Sequence, residues 1–161
     1  MKQRLYRLGI AVGVLITLNL SVLATAAEDL PFKARSGGLI TNVGIDFGQG
    51  IVYLHQSGTG QATHLGKFSV KGNAEVLLAL GTTRTTLTLT AANGDQLFLK
   101  GDDGKEAGPA SAAGTLRVIG GTGRFEGATG GMKYVLTFAI PPPTTEPNPY
   151  TDVIEGTISL K

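Results

Sequence analysis

Gly120 to Gly130 reads GGTGRFEGATG, and this stretch decides the fold. Five glycines in eleven positions exclude a helix interior, where each costs about 1 kcal/mol against alanine. Glycine is used where the chain needs positive φ or where backbones approach closely. The flanking segments alternate with the period of two that marks strands. Leu116 and Val118 alternate with Thr115 and Arg117 before it, and Met132, Tyr134, Leu136, Phe138 and Ile140 alternate with Lys133, Val135, Thr137 and Ala139 after it. The glycines therefore join two strands through a tight, twisted connection, and Phe125 is the one large apolar residue able to anchor it. Bulges and glycine kinks of this kind let a sheet curl and close.

A nucleotide-binding loop is excluded by the same residues. A Walker loop needs Gly-Lys-Ser/Thr, which does not occur. A dinucleotide fingerprint needs a third glycine where Glu126 stands, followed by a helix, and a strand follows here.

The segment GGTGRFEGATGGMKYVL resembles the signature of the allene oxide cyclase and dirigent-like barrel superfamily, in which GGTG-x-F-x-G-x-x-G joins two strands of an eight-stranded antiparallel barrel. THLG at Thr63–Gly66 and AANGD at Ala91–Asp95 resemble a bacterial branch of that superfamily whose members mostly lack an assigned function. The resemblance spans about Leu30 to Lys161. It implies a single all-β, calycin-like barrel of about eight strands over 27–161. In it Gly120, Gly121, Thr122, Gly123, Arg124, Phe125, Gly127 and Gly130 are the structural motif. It carries over no catalytic residue.

The N-terminus has the three parts of a secretory signal: basic Lys2, Arg4 and Arg7, an apolar run from Leu8 to Leu23, and the small-x-small site Ala24-Thr25-Ala26. Cleavage after Ala26 leaves 135 of the 161 residues, a size suited to one domain with one core. The expected location is secreted or periplasmic, with membrane contact only through the uncleaved signal. Losing three cations from 14 leaves 11 Lys and Arg against 12 Asp and Glu, so the basic whole-chain balance belongs to the signal. A nucleic-acid partner is not expected without a basic cluster. With no cysteine there is no disulfide, thiolate or Cys-based zinc site, and stability must come from the apolar core. His55 and His64 are the only histidines, nine residues apart, so neither a metal nor any other cofactor is expected.

Nine strands are predicted, near 33–42, 50–58, 61–71, 74–80, 83–92, 95–101, 114–120, 131–140 and 152–160, for a barrel of about eight. Thr83 to Lys100 gives the clearest unit. A three-residue loop, Ala92-Asn93-Gly94, pairs Ala91 with Asp95, sets Leu89 opposite Leu97 and Leu87 opposite Leu99, and leaves Thr86, Thr88 and Thr90 outward with Gln96. Asp95 is a turn residue in this register. Val76 to Leu80 predicts a strand covered on both sides. Gly101 to Ala113 reads as a polar loop without the calcium pattern of an EF-hand, and Pro141 to Pro149 as a stiff rim loop.

Alternation also proposes an interior. If Phe68 and Val70 point inward, so does His64, the titratable residue of greatest interest, which either acts as acid or base near neutral pH or holds a loop by one hydrogen bond. Tyr134 alternates with Leu136 and Phe138 and directs its hydroxyl inward. The candidate ligand-binding set is His64, Phe68, Leu87, Leu89, Leu97, Leu99, Tyr134, Leu136 and Phe138, with no interior carboxylate. Three functions remain open. The first is a barrel that binds a small apolar molecule. The second is a cyclase or isomerase of the allene oxide cyclase type, against which the missing carboxylate counts. The third is a filled structural barrel, forming a homo-oligomer through the threonine-rich outer face of 82–90.

Overall fold

The computed structural model describes residues 28–141 and 147–161. The signal segment 1–26 and the centre of the proline-rich connection lie outside the described residues. Eight antiparallel strands, each hydrogen-bonded to its neighbours in sequence, close into a barrel, with β1 pairing β8. They are β1 (Asp29–Asp46), β2 (Ile51–Ala62), β3 (Gly66–Leu77), β4 (Thr82–Ala91), β5 (Gln96–Gly108), β6 (Ser111–Gly121), β7 (Thr129–Phe138) and β8 (Asn148–Ser159). The glycine segment holds one short 3-10 turn, Gly123–Phe125. Closure leaves no strand edge exposed, which suits a chain with no cysteine to staple it.

The β4–β5 hairpin has the expected register, with Leu89 opposite Leu97 and Leu87 opposite Leu99. Ala91 N–H donates to Asp95 O at 2.8 Å, and Gly94 takes φ +92° at the left-handed position of the loop.

Three expectations need correction. The segments 61–71 and 74–80 are not two strands: β3 runs unbroken through Gly72, where a Cβ would collide with Leu87, so this glycine serves close packing and marks no turn. Val76 to Leu80 is not covered on both sides, since the strand ends at Leu77 and Leu78 and Leu80 stand 57% and 69% exposed in the following turn. Gly101 to Ala113 is not a loop: β5 and β6 continue to a tight turn at Pro109-Ala110. Their ladder shifts register between Lys100 and Lys105, and the Asp103 carboxylate bridges the irregular stretch, accepting from Thr115 N at 2.8 Å and Thr115 Oγ1 at 2.7 Å. Those bonds hold the Asp103 carboxyl below its usual pKa.

Inward residues alternate along every strand and form two clusters. The larger joins Phe32, Phe68, Leu89, Leu97, Leu99, Phe125, Ile154 and Ile158. The smaller, toward the other end, holds Ile40, Leu136 and Tyr150.

Candidate functional site

The three sequence motifs meet at one end of the barrel and close it. Thr122 N–H donates to Gln96 O at 2.8 Å, while Thr122 Oγ1 accepts from Gln96 N at 3.0 Å, so the glycine segment is laced to the first residue of β5. The Arg124 guanidinium stands 5.1 Å from the Phe125 ring centre, pairs with Asp95 at 3.5 Å and reaches Leu65 O at 3.5 Å. Gly123, at φ +57°, has no room for a Cβ beside the Asp95 carboxylate. Under this lacing Phe125, Leu65 and Ala128 are buried. Asp95 is thus a turn residue, as its spacing implies, and it also positions the glycine segment.

His64 does not face the interior. It sits in the β2–β3 turn at φ +63°, exposed, with Nε2 3.0 Å from Pro31 O. The left-handed pair His64 and Gly66 (φ +69°) breaks the alternation on which its inward placement rested, and Leu65 is buried in its stead. His64 holds a turn to the first strand.

The other end of the barrel contains a cavity of about 80 Å³. Apolar residues from six strands line it, Ile40, Leu54, Val76, Leu116, Leu136 and Phe138 among them, together with Leu87, Thr83, Thr85 and Tyr134. Of the expected set, Leu87, Tyr134, Leu136 and Phe138 reach this cavity. Phe68, Leu89, Leu97 and Leu99 are inside the barrel but belong to the packed half.

Besides the threonines, two polar side chains in the wall were not among the candidates: Asp152 and Gln56. Asp152 is 4% exposed, which overturns the expectation of an interior without carboxylates. Its Oδ1 accepts from Ser36 Oγ at 2.8 Å and its Oδ2 from Gln56 Nε2 at 3.4 Å. Burial pushes the carboxyl above its ordinary pKa, and the Ser36 and Gln56 hydrogen bonds oppose that rise. Tyr150, two residues earlier on the same inward stripe, is 3% exposed. Burial raises its pKa as well; Gln56 and Ser36 lie near enough to oppose that, yet neither completes a hydrogen bond with the phenol. Across the cavity, burial first and the Asp103 charge second raise the Tyr134 phenol, against an opposing contact with Thr85.

A sequence signal for Asp152 exists. It has the parity of Ile154 and Ile158, both inward, so the alternation that places those two places Asp152 with them. Gln56 likewise shares the parity of Ala62 on β2. Chemically, the arrangement is a mainly apolar pocket with one carboxyl and one carboxamide presented together, able to donate and accept hydrogen bonds at a single spot.

No family model matches the chain, and no curated protein matches its sequence. Among solved structures, the pterocarpan synthase dirigent protein is similar, with a TM-score of 0.56 and 13% identity over 84% of this chain and 86% of that one. The glycine segment, the closed eight-strand antiparallel barrel and this likeness lead to one statement: the fold is a dirigent-like barrel.

Proposed function

We propose that this barrel binds a small, mainly apolar molecule whose one hydrogen-bonding group rests on Asp152 and Gln56. The observation that carries this reading is the buried Asp152 carboxyl in a mainly apolar cavity. A buried polar group costs roughly 1–3 kcal/mol unless it is satisfied. Each Asp152 oxygen accepts one bond, from Ser36 and, at longer range, from Gln56, and a carboxyl has further lone pairs with which to hold a guest. Binding pockets combine apolar walls with a few placed polar groups in this way. The signal-like sequence of 1–26 supports a secreted or periplasmic binder.

Asp152 also favours a second reading, a cyclase or isomerase of the allene oxide cyclase type. A buried acid with a raised pKa is suited to proton transfer or to stabilising charge that develops on an apolar substrate. Binding is the more economical reading, because it requires only the pocket.

The test is a thermal-shift and calorimetric comparison of the wild type with Asp152→Asn, Asp152→Leu and Ala112→Leu, using a panel of apolar alcohols, ketones and terpenoids. Ligand binding stabilises the native state by mass action. At least one compound is expected to raise the wild-type Tm. Asp152→Leu and the cavity-filling Ala112→Leu are expected to abolish that rise, and Asp152→Asn to weaken it. A rise that survives both Asp152→Leu and Ala112→Leu would place binding elsewhere. Turnover of a bound compound by the wild type and not by Asp152→Asn would favour the enzyme.

A further inference from the structure

The cavity is small and its surroundings are not. A volume of about 80 Å³ holds a functional group and a few carbons, where a single water needs roughly 10–15 Å³ and a typical ligand pocket runs to about 300–1,000 Å³. Yet the cavity extends to the last inward layer of the wall at its end of the barrel, where Val76 and Thr83 pair across β3 and β4. Beyond that layer stand exposed apolar side chains, at the end of β1 and in the segments that follow β3 and β7. Val76 is followed two residues on by Leu78, and Phe138 by Ile140; Val52, paired with Val76, is paired in turn with Ile45.

Among the described residues nine large apolar side chains are exposed, and six belong to this end: Val43, Ile45, Phe47, Leu78, Leu80 and Ile140. Phe47 is 88% exposed and Leu80 69%. The two turns that carry them are joined, since Leu78 N–H donates to Gly50 O at 2.9 Å. Among the described residues the closed end has no comparable rim. Exposed large apolar side chains gathered at one end suit a binding surface, and Leu78 and Ile140 lie two residues beyond the cavity-lining Val76 and Phe138. Gln56 lies below two apolar residues: from the mouth, the inward face of β2 runs Val52, Leu54, Gln56.

We infer that the ligand is a linear amphiphile with an uncharged hydroxyl-type end, which enters polar end first to reach Asp152 and Gln56 while its chain lies outward against the lips formed by Ile45, Phe47, Leu78 and Leu80. This inference rests on the binding reading above and adds the ligand's length, polarity and direction. A hydroxyl can donate to the Asp152 carboxyl and accept from Gln56 Nε2. A carboxylate end would set a second negative charge against Asp152, and an ion of either sign would pay desolvation in the apolar pocket.

The experiment titrates purified protein calorimetrically with 1-butanol, 1-hexanol, 1-octanol and 1-decanol, and with decanoate. The proteins are the wild type, the double variant Phe47→Ser/Leu80→Ser, and Asp152→Asn with Asp152→Leu beside it. Full burial of one methylene is worth roughly fourfold in affinity, and half-burial about twofold. The wild-type affinity is expected to keep rising to decanol, with decanoate at least tenfold weaker. In the double variant, butanol affinity is expected to be unchanged and decanol about tenfold weaker, while both Asp152 variants weaken every alcohol alike. A plateau at hexanol, or a length dependence intact in the double variant, would overturn the lip contact and leave the cavity reading standing. Alcohol affinities untouched by either Asp152 variant would overturn the polar-end-first direction. Tighter binding of decanoate than of decanol would overturn the uncharged end. Concentration-dependent dimerisation of the wild type, lost in the double variant, would show that a second copy covers the lips and would overturn the proposal. Failure of every alcohol, short and long, to bind the wild type would overturn the binding reading for this ligand class along with the present one.

Discussion

The two ends of this barrel are built from the same alternating strands and spend their residues in opposite ways. At the closed end, side chains are large and fully buried, and the turns are tied to one another through Arg124, Asp95, Thr122 and Gln96. At the mouth end the interior is left partly empty, a carboxyl is buried in it, and large apolar residues stand in solvent. The first arrangement contributes stability and the second gives some of it up, since cavities and buried polar groups both cost free energy. Sites of function are where such concessions are expected. The comparison teaches that the glycine signature marks the supporting end of the molecule, while the cavity and its buried polar side chains lie at the other.

The sharpest way to break this comparison is to remove one aromatic side chain from each end. Phe125 is 0% exposed beneath the glycine segment, and Phe125→Ala is expected to cost about 3–5 kcal/mol in urea unfolding. Phe138 borders the existing cavity and is only half-buried, so Phe138→Ala is expected to cost about 1–2 kcal/mol, because fewer contacts are lost. Equal losses would mean that the mouth end is packed as tightly as the closed end.

Asp152 provides the next test, through pH. A carboxyl whose folded-state pKa lies above its unfolded value binds its proton more tightly when folded. Its contribution is therefore fully present below the ordinary value of 3.8 and is lost as pH rises through the raised one. Asp152→Asn keeps a neutral side chain at every pH. The variant is expected to be the more stable by about 1–2 kcal/mol at pH 7 and to lose that advantage as pH falls toward 4, with urea midpoints at several pH values as the measurement. A wild type that gains on the variant as pH rises would mean that the carboxylate is stabilised where it sits.

Tyr150 carries a smaller cost of the same kind. Its hydroxyl is buried without a hydrogen-bond partner among the described residues. Tyr150→Phe removes that group and keeps the ring, so stability is expected to rise by about 1 kcal/mol. A loss of similar size would reveal a hydrogen bond to Gln56 or Ser36 that forms in solution.

How much of this was legible depended on whether a residue's neighbours in sequence carried its environment. The hairpin from Thr83 to Lys100 was, because alternation and a glycine loop fix the register locally and only one register keeps leucine opposite leucine. The closed architecture was too, from the glycine segment and its flanking strands. His64 was misplaced because alternation was carried through a turn, where two positive-φ residues reset which face is inward. Gly72 was taken for a break because sequence cannot separate a glycine needed for positive φ from one needed to admit Leu87. Asp152 was missed for a different reason. It stands at the first position of the strand expected over 152–160, where parity with Ile154 and Ile158 is its one local signal, and its partners Ser36 and Gln56 are 116 and 96 residues away in sequence. Neither the cavity nor its lips could be read from any one strand, since each assembles turns that meet only after the barrel closes.

The smallest expected effect separates function from folding at the mouth. Phe47 and Leu80 are exposed on turn tips, so exchanging both for serine removes little buried area. Surface changes of this kind normally stay within about 0.5 kcal/mol, and Phe47→Ser/Leu80→Ser is expected to leave the urea midpoint within that range. Two large apolar residues that give the fold nothing and remain exposed call for another use, and retained stability is what that argument requires. A loss of 2 kcal/mol or more on unfolding would show that the tips fold back onto the barrel in solution, making them part of the core and removing the contrast between the two ends.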